Sequence, residues 1–214
     1  LERVLQEDIC FGVFDGMGGE SYGEQASFAA ASEMQNQLEK PKRFYQTGGK
    51  YLNNLAQALN GAVFRRGQEL LASRMGTTAA LLYLSGSHVY ACNVGDSRIY
   101  RLRERIFAQL SQDHVLAWPS ASGGKALLTQ HLGMNPEEVQ LAPYIIKDDL
   151  RKGDSYLLCS DGLTDMVDNL TLSDILSRQT NAEECAQALL KAALDGGGRD
   201  NITAIVCKIL GSSF

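Results

Sequence analysis

The chain has 214 residues, of which 44% are hydrophobic and 21% charged, and its net charge is −5. This length predicts a single domain, residues 1–214, with a core large enough to fold without disulfide or metal crosslinks. The negative net charge argues against a surface that binds nucleic acid or an anionic membrane. No apolar run approaches the roughly 18 residues of a membrane span, and residues 1–8 lack a signal-peptide pattern. We therefore expect no membrane insertion and a cytoplasmic location.

Five cysteines are scattered along the chain, and no two of them form a Cys-x-x-Cys pair. They are Cys10, Cys92, Cys159, Cys185 and Cys207. Four of the five lie in apolar, strand-like runs. This pattern favours small buried hydrophobic residues in a reducing compartment over disulfides or a zinc site.

The first 20 residues contain a charged segment followed by an apolar strand. Arg3, Glu7 and Asp8 precede the strand, and in isolation they are typical of a solvated chain end. The strand then ends at Asp15-Gly16, a dipeptide that favours a tight turn, and further glycines follow. In isolation this is an ordinary turn between a strand and a helix.

The rest of the pattern predicts an α+β fold. Apolar residues at helical spacing predict helices over residues 23–39 and 52–71. Residues 76–114 are rich in Thr, Val, Tyr and Leu and contain short turns, so they predict three or four antiparallel strands, because parallel pairing needs a long crossover. The remaining predicted elements are a loop and short helix over 111–133, strands over 139–146, 155–159 and 202–209, and helices over 171–177 and 182–194. Helices followed by hairpins argue against a Rossmann fold and for antiparallel sheets covered by helices.

Four aspartates share one setting. Asp15, Asp161 and Asp200 each lie beside glycine at the end of an apolar strand, and Asp96 lies in a hairpin turn. If these ends meet, the carboxylates repel one another and need cations at neutral pH. Oxygen ligands without histidine or cysteine select Mg²⁺ or Mn²⁺, and two such ions about 4 Å apart activate a bridging water for attack on phosphorus.

Six sequence blocks carry a resemblance to a known family. In chain order they are FGVFDGMGG, GTTAALLYL, VYACNVGDSRIYRL, LSQDH, LLCSDGLTD and GGGRDNITAIVCKI. In this order and spacing the chain resembles the metal-dependent serine/threonine protein phosphatases of the type 2C (PPM) family, from Arg3 to about Ile209. DGMGG in place of DGHGG is similar to the bacterial members. The resemblance implies a four-layer αββα sandwich of two antiparallel β-sheets flanked by helices.

The resemblance also implies a role for each site residue. Asp15 would bridge two metal ions, with the Gly16 carbonyl on the second, while Asp161 and Asp200 complete the shell of the first. Glu7 and Asp8 would hold the second ion through water, and Asp96 with Asp161 or Asp165 would form a weaker third site. Arg3, in the segment RVLQED, would clamp the substrate phosphate with its guanidinium group. The catalytic set is therefore expected to be Asp15, Asp161, Asp200 and Arg3.

Three features depart from the family pattern. Met17 stands where many members have a histidine that can serve as general acid, and Met cannot donate a proton. Only six residues separate Asp8 from Asp15, too few for two strands and a turn, which leaves open whether a loop is missing there or the strand pairing differs. Residues 115–133 are also short for the flap that borders the family's active site.

The three histidines are weak catalytic candidates. His88 is predicted at a strand edge, His114 in the LSQDH turn and His131 on the short helix. None of them has the paired acids that would mark a catalytic triad.

The resulting expectation is a metal-dependent phosphatase that hydrolyses phosphoserine and phosphothreonine by direct attack of a water bridging two ions, Mn²⁺ or Mg²⁺. Its partners would be proteins phosphorylated by a serine/threonine kinase, and it would act as a monomer. No cysteine is placed to act as a phosphate-cradling nucleophile, which supports direct attack by water. Two alternatives stay open: a non-catalytic relative that binds phosphoproteins, and a metal hydrolase of small phosphoesters or nucleotides.

Overall fold

A computed structural model describes residues 8–17, 20–40, 47–72, 74–116, 127–179 and 181–211. The strands are β1 Ile9–Val13, β2 Gly16–Met17, β3 Gly76–Thr77, β4 Ala79–Ser85, β5 His88–Val94, β6 Arg98–Arg103, β7 Ile106–Gln109, β8 Tyr144–Asp149, β9 Ser155–Cys159 and β10 Ala204–Lys208. The helices are α1 Glu20–Leu38, α2 Gly48–Glu69, α3 Asp161–Thr164, α4 Asn169–Arg178 and α5 Ala182–Asp195. None of the helices in the described ranges is long and apolar enough to cross a membrane.

Two four-stranded sheets form the centre of the fold. The first has the strand order β1-β4-β5-β8 and the second the order β10-β9-β6-β7, and every pairing in both is antiparallel. Short turns join β4 to β5 and β6 to β7, and such turns favour antiparallel pairing, as expected from the sequence. Between β6 and β7, Glu104 and Arg105 both have positive φ, 49° and 67°, which matches the two-residue hairpin turn that suits the strand twist.

Three apolar cores hold the layers together. α1 and α2 pack on the outer face of the first sheet around Leu52, Leu59 and Leu81. The helices α3 to α5 pack on the second sheet around Leu157 and Leu172. A third core lies between the sheets and contains residues of both, among them Val13, Leu82, Ile99, Tyr156 and Leu158. The order of layers is helix, sheet, sheet, helix, and it confirms the predicted αββα sandwich.

Three helix starts are fixed by side-chain caps, the first of them at α2, where Thr47 Oγ1 accepts from the Lys50 N–H at 3.4 Å. The Asp168 carboxylate accepts hydrogen bonds from the backbone N–H groups of Leu170 and Thr171 at the start of α4. The Asn181 side chain accepts one from Glu183 at the start of α5. Such caps satisfy N–H groups that the first helical turn leaves without partners.

Several predicted elements differ from the structure. Residues 127–133, within the predicted short helix, form no helix and contribute only the isolated bridges of Leu128 with Val115 and of Leu132 with Thr77. The strand predicted from residue 139 begins at Tyr144. The one-turn helix α3 was not predicted, because four residues are too few to show a helical period.

All five cysteines are free thiols. Cys92, Cys159 and Cys185 are buried, and Cys10 and Cys207 are half-buried. Burial raises the pKa of the Cys92 and Cys159 thiols to about 12, so both stay protonated at neutral pH. The expectation of unreactive, hydrophobic cysteines is confirmed for these residues.

Candidate active site

Strand direction brings four of the predicted aspartates to one end of the sandwich. β1 and β5 run the same way, because both pair antiparallel with β4. Asp15 follows the end of β1, and Asp96 follows the end of β5. In the second sheet β9 runs towards this end and β10 starts from it, so Asp161 and Asp200 lie there as well.

The Asp15 main chain is fixed by two buried threonines. The Asp15 N–H donates to Thr78 Oγ1 at 3.0 Å, and the Thr78 N–H donates to the Asp15 carbonyl at 2.9 Å. Thr77 Oγ1 donates to the same carbonyl, also at 2.9 Å. These three bonds fix the peptide groups on both sides of Asp15, and the residue lines the cleft described below.

Asp161 and Asp200 are brought together by the turn from β9 into α3. The Ser160 N–H donates to the Thr203 carbonyl at 3.1 Å, and Ser160 Oγ accepts from the Thr203 N–H at 3.1 Å. Ser160 Oγ also contacts the Asn201 carbonyl at 3.2 Å. Asp161 therefore stands beside the segment that carries Asp200.

Gly162 allows this close approach. A Cβ at residue 162 would lie 2.2 Å from the Asn201 carbonyl oxygen. We expect Gly162→Ala to push the two segments apart, to lower the free energy of unfolding by about 1–3 kcal/mol and to weaken metal binding. Thermal unfolding and Mn²⁺ titration by calorimetry would measure both effects.

Gly61→Ala is the matched control for this variant. Gly61 lies within α2, and its added Cβ would meet only the mobile end of Arg65, at 3.2 Å. This change should leave metal binding unchanged and should raise helix stability slightly. Equal metal binding by the two alanine variants would contradict the role given to Gly162.

Asp15 and Asp200 line one cleft of about 580 Å³. Its walls are Phe14, Asp15, Gly16, Gly23, Glu24, Ser27, Asp200, Asn201 and Thr203. The lining offers carboxylate, hydroxyl and carbonyl oxygens and no histidine or cysteine, a donor set that fits hard divalent ions such as Mn²⁺ or Mg²⁺. The volume is sufficient for two ions and a phosphate group.

Within the described ranges, no three His, Cys, Asp or Glu side chains form a group compact enough to hold an ion. The ligand set implied by the resemblance also includes Glu7, which lies outside those ranges, as does Arg3. The complete metal shell and the phosphate clamp therefore stay predictions. What the structure provides is the shared cleft of Asp15, Gly16 and Asp200, with Asp161 beside it.

The turn that carries Asp96 is stabilised by hydrogen bonds between Gly95 and His114. The Gly95 N–H donates to His114 Nδ1 at 3.2 Å, and the His114 N–H donates to the Gly95 carbonyl at 2.9 Å. Burial lowers the pKa of His114, although Asp113 opposes the shift. The ring is therefore neutral at pH 7, with its proton on Nε2. Asp113 in turn is bound by the Arg98 guanidinium, with a shortest distance of 2.7 Å.

Asp8 lies at the other end of β1, which corrects the expectation that it holds an ion beside Asp15. Asp8 Oδ2 accepts a 2.6 Å hydrogen bond from the Tyr83 hydroxyl, whereas Asp15 bonds to Thr78. Tyr83 and Thr78 are five residues apart along an extended segment, a separation of about 16 Å. The register of β1 with β4 is continuous from Ile9 to Val13, so no hairpin returns Asp8 to the cleft.

The other predicted residues are placed as follows. Asp165 is exposed and lies one helical turn after Asp161, to whose carbonyl its N–H donates at 2.8 Å. Met17 is half-buried and pairs with Gly76. His88 begins β5, as expected, whereas His131 is not helical and contacts the Leu132 carbonyl at 3.0 Å.

Thr78 was missed as a functional candidate in the sequence. The sequence pattern indicates only a strand-forming residue at this position, since Thr is common in strands. The paired threonines of GTTAALLYL, placed immediately before a continuous apolar run, are the signal that could have indicated it.

Comparison with known proteins identifies relatives of the whole fold. The sequence profile of the protein phosphatase 2C family matches residues 2–196. The serine/threonine protein phosphatase PstP of Mycobacterium tuberculosis is 30% identical over 237 residues, which cover 98% of this chain and 43% of PstP. The chain thus spans less than half the length of that relative. The serine/threonine phosphatase stp of Listeria monocytogenes is 29% identical over 209 residues, which cover 91% of this chain and 82% of stp.

A solved structure shows the same architecture. The catalytic domain of PstP in complex with two manganese ions superposes with a TM-score of 0.80, at 28% sequence identity, over 99% of this chain and 94% of that one.

Proposed function

Because the chain belongs to the protein phosphatase 2C family, we propose that it is a metal-dependent serine/threonine protein phosphatase. The observation that carries the proposal is the cleft shared by Asp15 and Asp200 at the end of the sandwich where Asp96 and Asp161 also lie. Carboxylates that share a cleft repel one another, and divalent ions would balance their charge at neutral pH. The catalytic domain of PstP, solved in complex with two manganese ions, supports ion binding at such a site.

Two divalent ions, Mn²⁺ or Mg²⁺, would be held mainly by aspartates. Asp15 would contact both ions, Asp161 and Asp200 the first, and the Gly16 carbonyl the second. Asp96, with Asp161 or Asp165, would hold a third and weaker ion. When bound, the ion pair would supply a water activated for direct, in-line attack on the phosphorus.

The chain's own residues would bind and orient the phosphoester. Arg3 would hold two phosphate oxygens through its planar guanidinium group. Met17 cannot protonate the leaving serine or threonine oxygen, so that proton must come from another group of the site. Asp8 is too far from Asp15 to share this work, and the second ion would depend on fewer protein ligands than the sequence predicted.

The experiment that tests the function is hydrolysis of a phosphothreonine peptide while Mn²⁺ is titrated, with EDTA as the blank. We expect saturable phosphate release that EDTA abolishes and that an excess of nucleotide does not inhibit. Inhibition by nucleotide would favour a hydrolase of small phosphoesters. A folded protein with no release at any Mn²⁺ concentration would favour a phosphoprotein-binding module without catalysis.

The proposed function also has consequences for the substrates, the oligomeric state and the location of the protein. We infer that its substrates are proteins phosphorylated by a serine/threonine kinase, that it acts as a monomer, and that it works in the cytoplasm. Light scattering after size-exclusion chromatography would test the monomer, and a mass near twice 23.3 kDa would contradict it.

A further inference from the structure

Thr78 joins the turn that carries Asp15 to the turn that carries Asp96. On one side, its N–H donates to the Asp15 carbonyl at 2.9 Å, and its hydroxyl accepts from the Asp15 N–H at 3.0 Å. On the other side, the same hydroxyl forms a 2.6 Å hydrogen bond with Ser97 Oγ. Ser97 directly follows Asp96, so a single hydroxyl contacts both the main chain of Asp15 and the side chain of the residue after Asp96.

The connection is rigid and shielded from water. Thr78 is 3% exposed and Ser97 is 0% exposed. The Thr78 methyl group packs against Gly95, where an added Cβ would lie 2.7 Å from Thr78 Cγ2. Hydrogen bonds in such a dry environment are strong and geometrically strict, because no water competes for their partners. A shift of either turn must therefore move the other.

The turn that carries Asp15 leaves the first sheet, and the turn that carries Asp96 leads from the first sheet into the second. Asp15 follows β1 of the first sheet, whereas Ser97 leads into β6 of the second. Thr77 also bonds to the Asp15 carbonyl, but its other hydroxyl contact, at 3.2 Å, is to the Thr78 carbonyl. The Thr78–Ser97 hydrogen bond, named here the hydroxyl bridge, thus links the two sheets beside the cleft.

We propose that Thr78 is a positioning residue whose hydroxyl bridge to Ser97 couples the ion pair at Asp15 to the third ion at Asp96. The inference rests on the proposed function, because it takes the metal positions from there. Coupling of this kind is reciprocal: if filling the Asp96 position strengthens binding at Asp15, the converse holds by the same factor.

A double-mutant cycle measures the coupling through metal binding. Mn²⁺ affinity is determined by calorimetry, and the spin-coupled signal of two neighbouring Mn²⁺ ions is followed by electron paramagnetic resonance. In the unmodified protein, Asp96→Asn should weaken binding of the ion pair by about three- to fivefold, the effect of one hydrogen bond. In a Ser97→Ala background, Asp96→Asn should leave the affinity of the ion pair unchanged.

Thr78 variants test the residue directly. Thr78→Val keeps the shape and removes the hydroxyl, and it should weaken binding of the ion pair by about tenfold. Thr78→Ser keeps the hydroxyl and should restore affinity to within about twofold. Ser111→Ala is the matched control, because Ser111 Oγ accepts from the Ile99 N–H at 3.0 Å on the same sheet without contacting the bridge. Thermal unfolding verifies that each variant is folded.

Four outcomes are decisive. A folded Thr78→Val protein with unchanged Mn²⁺ affinity, or an Asp96→Asn effect that persists in the Ser97→Ala background, overturns the coupling. A protein that shows the predicted cycle but releases no phosphate from the phosphothreonine peptide overturns the proposed activity and retains the coupling. Failure of the unmodified protein to bind Mn²⁺ overturns both.

Discussion

Replacement of Asp15 by asparagine should abolish most of the metal-dependent phosphatase activity and leave the fold intact. Asn has the same shape but no charge, so it cannot balance two divalent ions. In the proposed site, loss of the Asp15 charge would remove several kcal/mol of transition-state stabilisation, or on the order of 10³-fold in kcat/KM. The bonds that fix residue 15 to Thr77 and Thr78 all involve its main chain and survive the change.

The measurement is kcat/KM for a phosphothreonine peptide at saturating Mn²⁺, together with the calorimetric Mn²⁺ affinity and the thermal midpoint. Asp174→Asn is the control, because Asp174 is exposed and forms a surface ion pair with Arg178 at 2.7 Å. Asp200→Asn should resemble Asp15→Asn. Near-normal metal-dependent turnover in a folded Asp15→Asn protein would overturn the assignment of the cleft as the active site.

The position of the four aspartates at one end of the sandwich could be predicted from the sequence, because short turns favour antiparallel pairing. β9 is the best example. The run SYLLC lies between Asp154 and Ser160-Asp161, and the structure places the strand at Ser155–Cys159. A continuous apolar run with polar residues on both sides has few alternatives once it is buried on both faces.

The position of Asp8 could not be predicted, because it depends on pairing with a distant strand. Nothing in residues 8–15 states whether the chain turns back before Asp15 or runs straight. In the structure, Ile9 to Val13 pair with β4 in one continuous register, so the chain runs straight from Asp8 towards Asp15. A strand's partner is a tertiary property, and the local pattern carries no information about it.

In residues 127–133, too, tertiary contacts determine the local backbone conformation. Asn60 of α2 is buried, and its Oδ1 accepts from the N–H groups of Gly133 and Met134 at 2.8 and 3.0 Å. The Leu132 N–H donates to the Thr77 carbonyl at 2.8 Å. These partners from distant parts of the chain replace the backbone bonds that a helix would supply, so the segment is held in an irregular form.

Replacement of Asp154 by asparagine should cause the largest loss of stability outside the cleft. Asp154 is 1% exposed, and its carboxylate accepts hydrogen bonds from Arg103 at 2.7 and 2.8 Å and from the Tyr156 hydroxyl at 2.9 Å. Without it, the Arg103 guanidinium stays largely buried beside a neutral group. Breaking a buried ion pair by removal of one partner costs about 3–5 kcal/mol, which corresponds to roughly 10 °C in the thermal midpoint for a chain of this size.

The ion pairs of Arg103 with Asp154 and Asp148 also make the stability of the fold depend on pH. Arg103 also binds Asp148 of the first sheet, as does Arg101. Burial raises the pKa of Asp148, but the Asp149 N–H and the two guanidinium groups outweigh it and hold the pKa below its ordinary value. The stabilisation by Asp148 is therefore complete above the pKa of an aspartate in the unfolded chain, about 3.9. It is lost as the pH falls through the lower pKa of Asp148 in the folded protein.

A measurement of activity distinguishes the stabilising role of Asp154 from a role in catalysis. Asp154 precedes β9 and Asp161 follows it, so the two lie at opposite ends of the sandwich, about 20 Å apart along the strand. Asp154→Asn should keep the kcat/KM of the unmodified protein at 10 °C, where both are folded, while urea unfolding shows the lost stability. A loss below 1 kcal/mol would mean that Asp148 alone satisfies Arg103, and the contact between the two sheets would then need only one carboxylate.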